Sequence, residues 1–130
     1  MNRAREFSPF LRLQLERFPE IARQLADGAT DAALQSARAE AKVDHLAAGL
    51  RRERSAHALV LAVADLAGLA PFEQVTAELS DLADRSLEKA VAGAIAERTP
   101  GEAAQGFAVI GLGKLGGREL NYSSDVDLLF

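Results

Sequence analysis

The sequence predicts an α+β chain: a mainly α-helical leader over residues 1–100, then the truncated start of a mixed-sheet domain over residues 101–130. Three observations predict it. Alanine supplies 26 of the 130 residues, 23 of them before Gly101, and alanine is the strongest helix former. Apolar residues in the leader recur at spacings of three and four, which is one face of a helix. After Gly101 the pattern changes to two short apolar runs separated by a glycine-rich turn, and Asp125-Val126-Asp127-Leu128 alternates with the period of a strand.

Ser8-Pro9 is a helix start, serine as the cap and proline at the first helical position. Phe7, Leu11, Leu15 and Phe18 then form one apolar stripe, and the set Phe7, Phe10 and Phe18 reads as core. Pro19 ends this helix and begins the next, which carries Ile21 and Leu25 to a stop at Asp27-Gly28. Thr30-Asp31 offers another cap for a long helical region running towards Gly68. Its first half, 32–50, is thin in large apolar residues; its second half, with Leu59, Val60, Val63 and Leu66, reads as buried. Leu69-Ala70-Pro71 breaks the chain. Phe72, Val75, Leu79 and Leu82 then resume helical spacing, with Asp81 and Arg85 as an i,i+4 pair. Thr99-Pro100-Gly101 ends that helix, and the polar stretch 101–106 is a linker.

Composition bounds the function. The formal net charge is −4, which disfavours a broad nucleic-acid surface. There are no cysteines, so neither a disulfide framework nor a thiolate metal site is available. The start of the chain lacks the apolar core of a signal peptide, and no apolar run is long enough to span a bilayer, so a cytoplasmic protein is expected. Arg51-Arg52-Glu53-Arg54 reads as a solvated helix face, and His45 and His57 as structural histidines rather than metal ligands. Two strands alone do not make a stable sheet, so the chain is expected to be the N-terminal part of a longer protein.

The chemistry concentrates in residues 107–130. Phe107-Ala108-Val109-Ile110 has the make-up of a buried strand, Gly111, Gly113, Gly116 and Gly117 follow within seven residues, and 118–122 is expected to form a short helix. Glycine N–H groups at a helix start can cradle an anion. Asp125 and Asp127 fall on one face of the next strand, about 7 Å apart, and repel unless a cation lies between them. A hard divalent ion such as Mg²⁺, which takes oxygen ligands and leaves room for phosphate, answers that need.

A glycine pair at the mouth of a helix followed by Asp-x-Asp on the next strand resembles the nucleotidyltransferase superfamily related to DNA polymerase β. More narrowly, Gly113-Lys114-Leu115-Gly116-Gly117-Arg118-Glu119-Leu120 with Ser123-Ser124-Asp125-Val126-Asp127-Leu128 resembles the glutamine synthetase adenylyltransferase family, whose members are bifunctional adenylyltransferase/deadenylases. The detailed match covers 107–130, with a looser similarity in the leader. The resemblance implies that Asp125 and Asp127 are catalytic carboxylates and the first two ligands of Mg²⁺. It implies that Gly113, Lys114, Gly116, Gly117 and Ser124 bind nucleotide phosphate. Ser124 is placed either to do that or to fix the turn before Asp125, and Lys114 either neutralises phosphate or is solvated.

The opening Ser8-Pro9-Phe10-Leu11 with Arg17-Phe18-Pro19, and Asn121 before the serines, resemble the family's first half. That half releases AMP from a tyrosine of glutamine synthetase by phosphorolysis, giving ADP. The second half attaches AMP from ATP. The partners implied are glutamine synthetase, ATP, ADP, phosphate and the PII nitrogen-signal protein.

Two other classes compete. Gly111-x-Gly113-x-x-Gly116 also spells a dinucleotide fingerprint, but the acids come 12 and 14 residues after Gly113, not about 20, and no full crossover helix fits between. A helical interaction module with a structural glycine turn is the third. The superfamily's third carboxylate lies on a later strand, so the 130-residue chain alone is expected to be inactive. Incubated with Mg²⁺, phosphate and adenylylated glutamine synthetase, it should yield no ADP; appreciable ADP by chromatography would contradict this.

Overall fold

A computed structural model of the chain describes residues 2–42, 45–101 and 105–130. They divide into two compact units, Met1–Phe72 and Glu73–Phe130. The elements are mostly helices with one small sheet, in keeping with an α+β class.

The first unit holds α1 (Asn2–Phe7), α2 (Pro9–Arg17), α3 (Pro19–Ala26), α4 (Thr30–Ala39) and α5 (Leu46–Leu66). Ser8 has extended backbone, and its Oγ accepts the Leu11 N–H at 3.2 Å, so the cap forms as its sequence requires. Proline has no N–H to donate, so α2 stops at Arg17 and α3 starts at Pro19, with buried Phe18 at the joint. Gly28, at φ 75°, ends α3. Thr30 is not the next cap. The Ala29 N–H stays bound to the Gln24 carbonyl at 2.8 Å, which puts Ala29 in the capping position and Thr30 at the first helical residue.

The helical region expected over 30–68 is two helices, and 43–44 in the connection lie outside the described residues. Local propensity would carry α4 onward through Ala39-Glu40-Ala41, but packing wins. With the break, α4 and α5 lie against each other, and the Glu40 Oε2 accepts hydrogen bonds from Arg52 at 2.5 and 2.8 Å. Arg52 also lies over the Phe18 ring, 5.6 Å from its centroid, with Arg17 at 5.3 Å. The run 51–54 is therefore not one solvated face. Glu53 is buried, because with Ala56, His57, Val60 and Ala64 it falls on the inward register of α5. His57 is fully buried, and its Nδ1 lies 3.2 Å from the Glu53 carbonyl of its own helix, a structural placement.

Leu11, Leu15, Phe18, Ile21, Leu25, Leu34, Leu59, Val60 and Val63 form the core. Phe7 and Phe10, expected there, are exposed at 73% and 52%. Phe7 closes the separate helix α1, and so does not share the register of α2. Leu66, at the last position of α5, is exposed as well. Ala33, Ala37 and Ala56 are fully buried, so small side chains let α4 and α5 approach closely.

The second unit holds nearly all of α6 (Phe72–Arg98), then β1 (Ile110–Gly111), the single turn α7 (Gly113–Gly116) and β2 (Leu128–Leu129). Pro71 stands just before α6, and the helix ends at Thr99-Pro100-Gly101. The linker expected over 101–106 lies partly outside the described residues. β1 pairs antiparallel with β2, Ile110 opposite Leu129 and Gly111 opposite Leu128. Three expectations change here. The second strand, expected from Asp125, covers only Leu128–Leu129 as β2, so Asp125 and Asp127 lie in the loop before it and not on a strand face. The run 107–110 is not a buried strand: regular pairing covers only its last residue and Gly111, and Phe107 and Ile110 are exposed. The helical turn falls on the glycines at 113–116, not on 118–122, because Arg118 takes φ 57°, which no right-handed helix accepts.

Burying a larger residue where α4 meets α5 should overpack the core. Ala37→Leu is expected to lower the stability of the chain by about 1–3 kcal/mol in urea unfolding, whereas Leu at exposed Ala39 should shift it by less than about 0.5 kcal/mol.

Candidate functional site

Residues 107–130 fold as strand, glycine turn, loop and strand. Two contacts require glycine in the turn. A Cβ on residue 116 would stand 2.6 Å from the Gly111 carbonyl oxygen, a clash with backbone that cannot move aside. Gly113 adopts φ 54°, and a Cβ there would come 3.3 Å from Asp127 Oδ2. The Leu112 N–H donates to the Asp127 carbonyl at 2.9 Å, extending the β1–β2 pairing by one step. The chain thus returns Asp127 onto the turn it left fourteen residues earlier (127 − 113).

The glycine pair closes the turn instead of opening a helix. Gly116 N–H donates to the Leu112 carbonyl at 3.2 Å and Gly117 N–H to the Gly113 carbonyl at 3.0 Å. The Arg118 and Glu119 N–H groups continue the pattern to the Leu115 and Lys114 carbonyls at 3.0 and 2.7 Å. The leading N–H groups of α7 belong to Gly113, Lys114 and Leu115, which by position have no acceptor within the turn. Lys114 is exposed beside them.

Ser124 sits in a compact knot. Its Oγ donates to Asn121 Oδ1 at 2.9 Å and accepts the Asn121 N–H at 3.1 Å, while the Ser123 N–H donates to Asn121 Oδ1 at 3.1 Å. These bonds fix the turn that precedes Asp125. Asp125 and Asp127 are both exposed and lie just before β2. Among the described residues no group of three or more metal-binding side chains forms.

The sequence reading missed Arg118. Its guanidinium pairs with Asp81 on α6, and its Nη1 lies 3.3 Å from Asp84 Oδ2. The hydrogen bond that Arg118 donates to Asp81, with the charges of both acids, holds Arg118 above its ordinary pKa, so it stays a cation at any physiological pH. Asp81 is thus engaged with a residue 37 positions away, which no local spacing announces. Two residues on, the Leu120 N–H meets the buried Ser80 Oγ at 3.4 Å.

An open, largely apolar groove of about 420 Å³ runs between α6 and β1, lined by Asp84, Leu87, Glu88, Val91, Phe107, Val109 and Leu115 among others. None of the expected site residues lines it. The antiparallel pairing of β1 and β2 and the single turn between them also depart from the parallel strands and crossover helix of a dinucleotide fold.

No solved structure matches the chain. Its sequence is 43% identical over 120 residues to a bifunctional glutamine synthetase adenylyltransferase/adenylyl-removing enzyme from Xanthobacter autotrophicus, covering 84% of this chain and 12% of that protein. The enzymes of the same description from Rhodopseudomonas palustris and Thioalkalivibrio sulfidiphilus are each 38% identical, over 84% and 94% of this chain and 12% and 14% of theirs. The chain thus spans only a small part of the length of the curated relatives it matches. The family model for glutamate-ammonia ligase adenylyltransferase matches residues 1–130, and the chain belongs to that family.

Proposed function

We propose that residues 107–130 carry the nucleotide-handling acids of a nucleotidyltransferase half that removes AMP from a tyrosine of glutamine synthetase. In that reaction an oxygen of inorganic phosphate attacks the phosphorus of tyrosyl-AMP. The bond to the tyrosine oxygen breaks, the oxygen keeps the electron pair and takes a proton, and ADP is formed. The same protein would attach AMP from ATP in the opposite regulatory sense, and PII is its proposed signal. The relatives, named as adenylyltransferase and adenylyl-removing enzymes, support the substrate and both directions.

The observation that carries the reading is the approach of Asp127 to the glycine turn at Gly113, held by the Leu112–Asp127 backbone bond. A carboxylate beside N–H groups that have no acceptor within their own turn is where a phosphate and its counter-ion would meet. Two exposed carboxylates fit Mg²⁺, which commonly takes one or two protein carboxylates and completes its shell with water and substrate phosphate. Asp125 and Asp127 would hold it; when bound, it would supply charge neutralisation at the phosphoryl oxygens. The chain's own residues do the rest. Gly113, Lys114 and Leu115 present N–H groups, Lys114 adds a positive charge for phosphate, and Gly116 and Gly117 keep the turn tight enough for substrate to approach. Ser124 and Asn121 set the direction in which Asp125 leaves its turn.

Asp125→Asn with Asp127→Asn in the full-length protein should cut phosphorolytic AMP release by about 100-fold or more. AMP attachment should persist if it is served by a separate half, and release surviving at the parent rate would refute the proposal. Gly116→Ala must push the turn off the Gly111 carbonyl. It is expected to destabilise by about 1–3 kcal/mol and to lower AMP release. Thermal melts together with ADP formation read both effects.

A further inference from the structure

Arg118 is held in an unusual way. Among the described residues it is the non-glycine with positive φ, at 57°, in the left-handed region that side chains other than glycine disfavour. Its guanidinium spans Asp81 and Asp84, which lie three residues apart on one face of α6. Next to this fork, Ser80 Oγ donates to its own helix at the Thr76 carbonyl, 2.8 Å away, and accepts from Leu120 N–H, whose side chain is buried. The loop leaving the glycine turn is therefore pinned to Ser80, Asp81 and Asp84 through Arg118 and Leu120. The knot of Asn121 and Ser124 follows directly, and then Asp125 and Asp127.

Ion pairs as exposed as these add little to global stability. A strained backbone held by an arginine fork is hard to account for as a means of stabilisation. It makes sense as a means of fixing position, since a planar guanidinium that meets two carboxylates accepts one direction of approach. We propose that Arg118 is a positioning residue that sets where the glycine turn ends, and so where Asp125 and Asp127 lie, without touching substrate. This rests on the proposed function only for what those acids do; the clamp itself is independent of it.

The test uses three variants of the full-length protein. Arg118→Gly removes the fork while suiting φ 57°, Asp81→Asn with Asp84→Asn removes its partners, and the third combines both. Peptide-level hydrogen exchange reads the clamp without activity: each variant should speed exchange across 119–127 and leave α4 and α5 unchanged. Unaltered exchange across 119–127 overturns the inference.

Where the parent releases AMP, each variant should lower kcat by about 10- to 100-fold with the KM for glutamine synthetase and the melting temperature nearly unchanged, because a displacement near 1 Å is enough for such a loss. The combined variant should lose no more than either alone, since fork and partners act as one unit. Losses that multiply overturn the positioning role. So does a loss confined to Arg118→Gly with the aspartate variant fully active, which would put the guanidinium on substrate. A parent protein that neither attaches nor releases AMP would refute the proposed function, and exchange would still decide the clamp.

Discussion

A carbonyl oxygen occupies the space where a side chain on residue 116 would have to be. That contact, Gly111 against Gly116, lets the chain reverse in a single turn after β1. The reversal has a geometric consequence for everything after it. Beside this turn the Leu112 N–H takes the Asp127 carbonyl, and β2 returns alongside β1. Asp127 reaches the turn because the backbone pairs there.

The first unit shows the same preference for backbone approach over side-chain bulk. Ala33 and Ala37 on α4 and Ala56 on α5 leave no exposed surface, and apart from Leu34 of α4 the large residues that close the core come from α2, α3, the joint at Phe18 and the second half of α5. An alanine-rich chain has propensity for helix everywhere, and so propensity cannot say where helices stop. The stops come from elsewhere, such as Pro19, Gly28 and Gly68 in the backbone.

This division explains what could be read from the sequence. The cap at Ser8, the break at Pro19, the stop at Gly28 and the end of α6 at Thr99-Pro100-Gly101 were legible, because proline, glycine and a capping hydroxyl act within a few residues. The helical turn over 113–116 was not, since glycine-rich sequence argues against helix and only the closure against Gly111 makes it form. The inward place of Glu53 was masked by three arginines around it. The pairing of Arg118 with Asp81 and Asp84 spans more than thirty residues and carries no periodic signature. The motif residues were legible as types and spacing; their arrangement depends on contacts that a linear reading does not contain.

The sorting of charge around the motif follows from the same contacts. Two exposed carboxylates near one turn would attract the closest arginine, and Arg118 is only seven positions from Asp125 (125 − 118). Left-handed backbone at residue 118 and the fork on α6 send its guanidinium to Asp81 and Asp84 instead. Among the described residues neither Asp125 nor Asp127 takes part in an ion pair, whereas Asp81 and Asp84 of α6 are both paired with Arg118. On the proposed reading, acids that the nearest arginine does not meet are left to face a counter-ion that arrives from solution. For chemistry at a phosphate, whose own negative charge must be met by a counter-ion, that is the arrangement electrostatics favours.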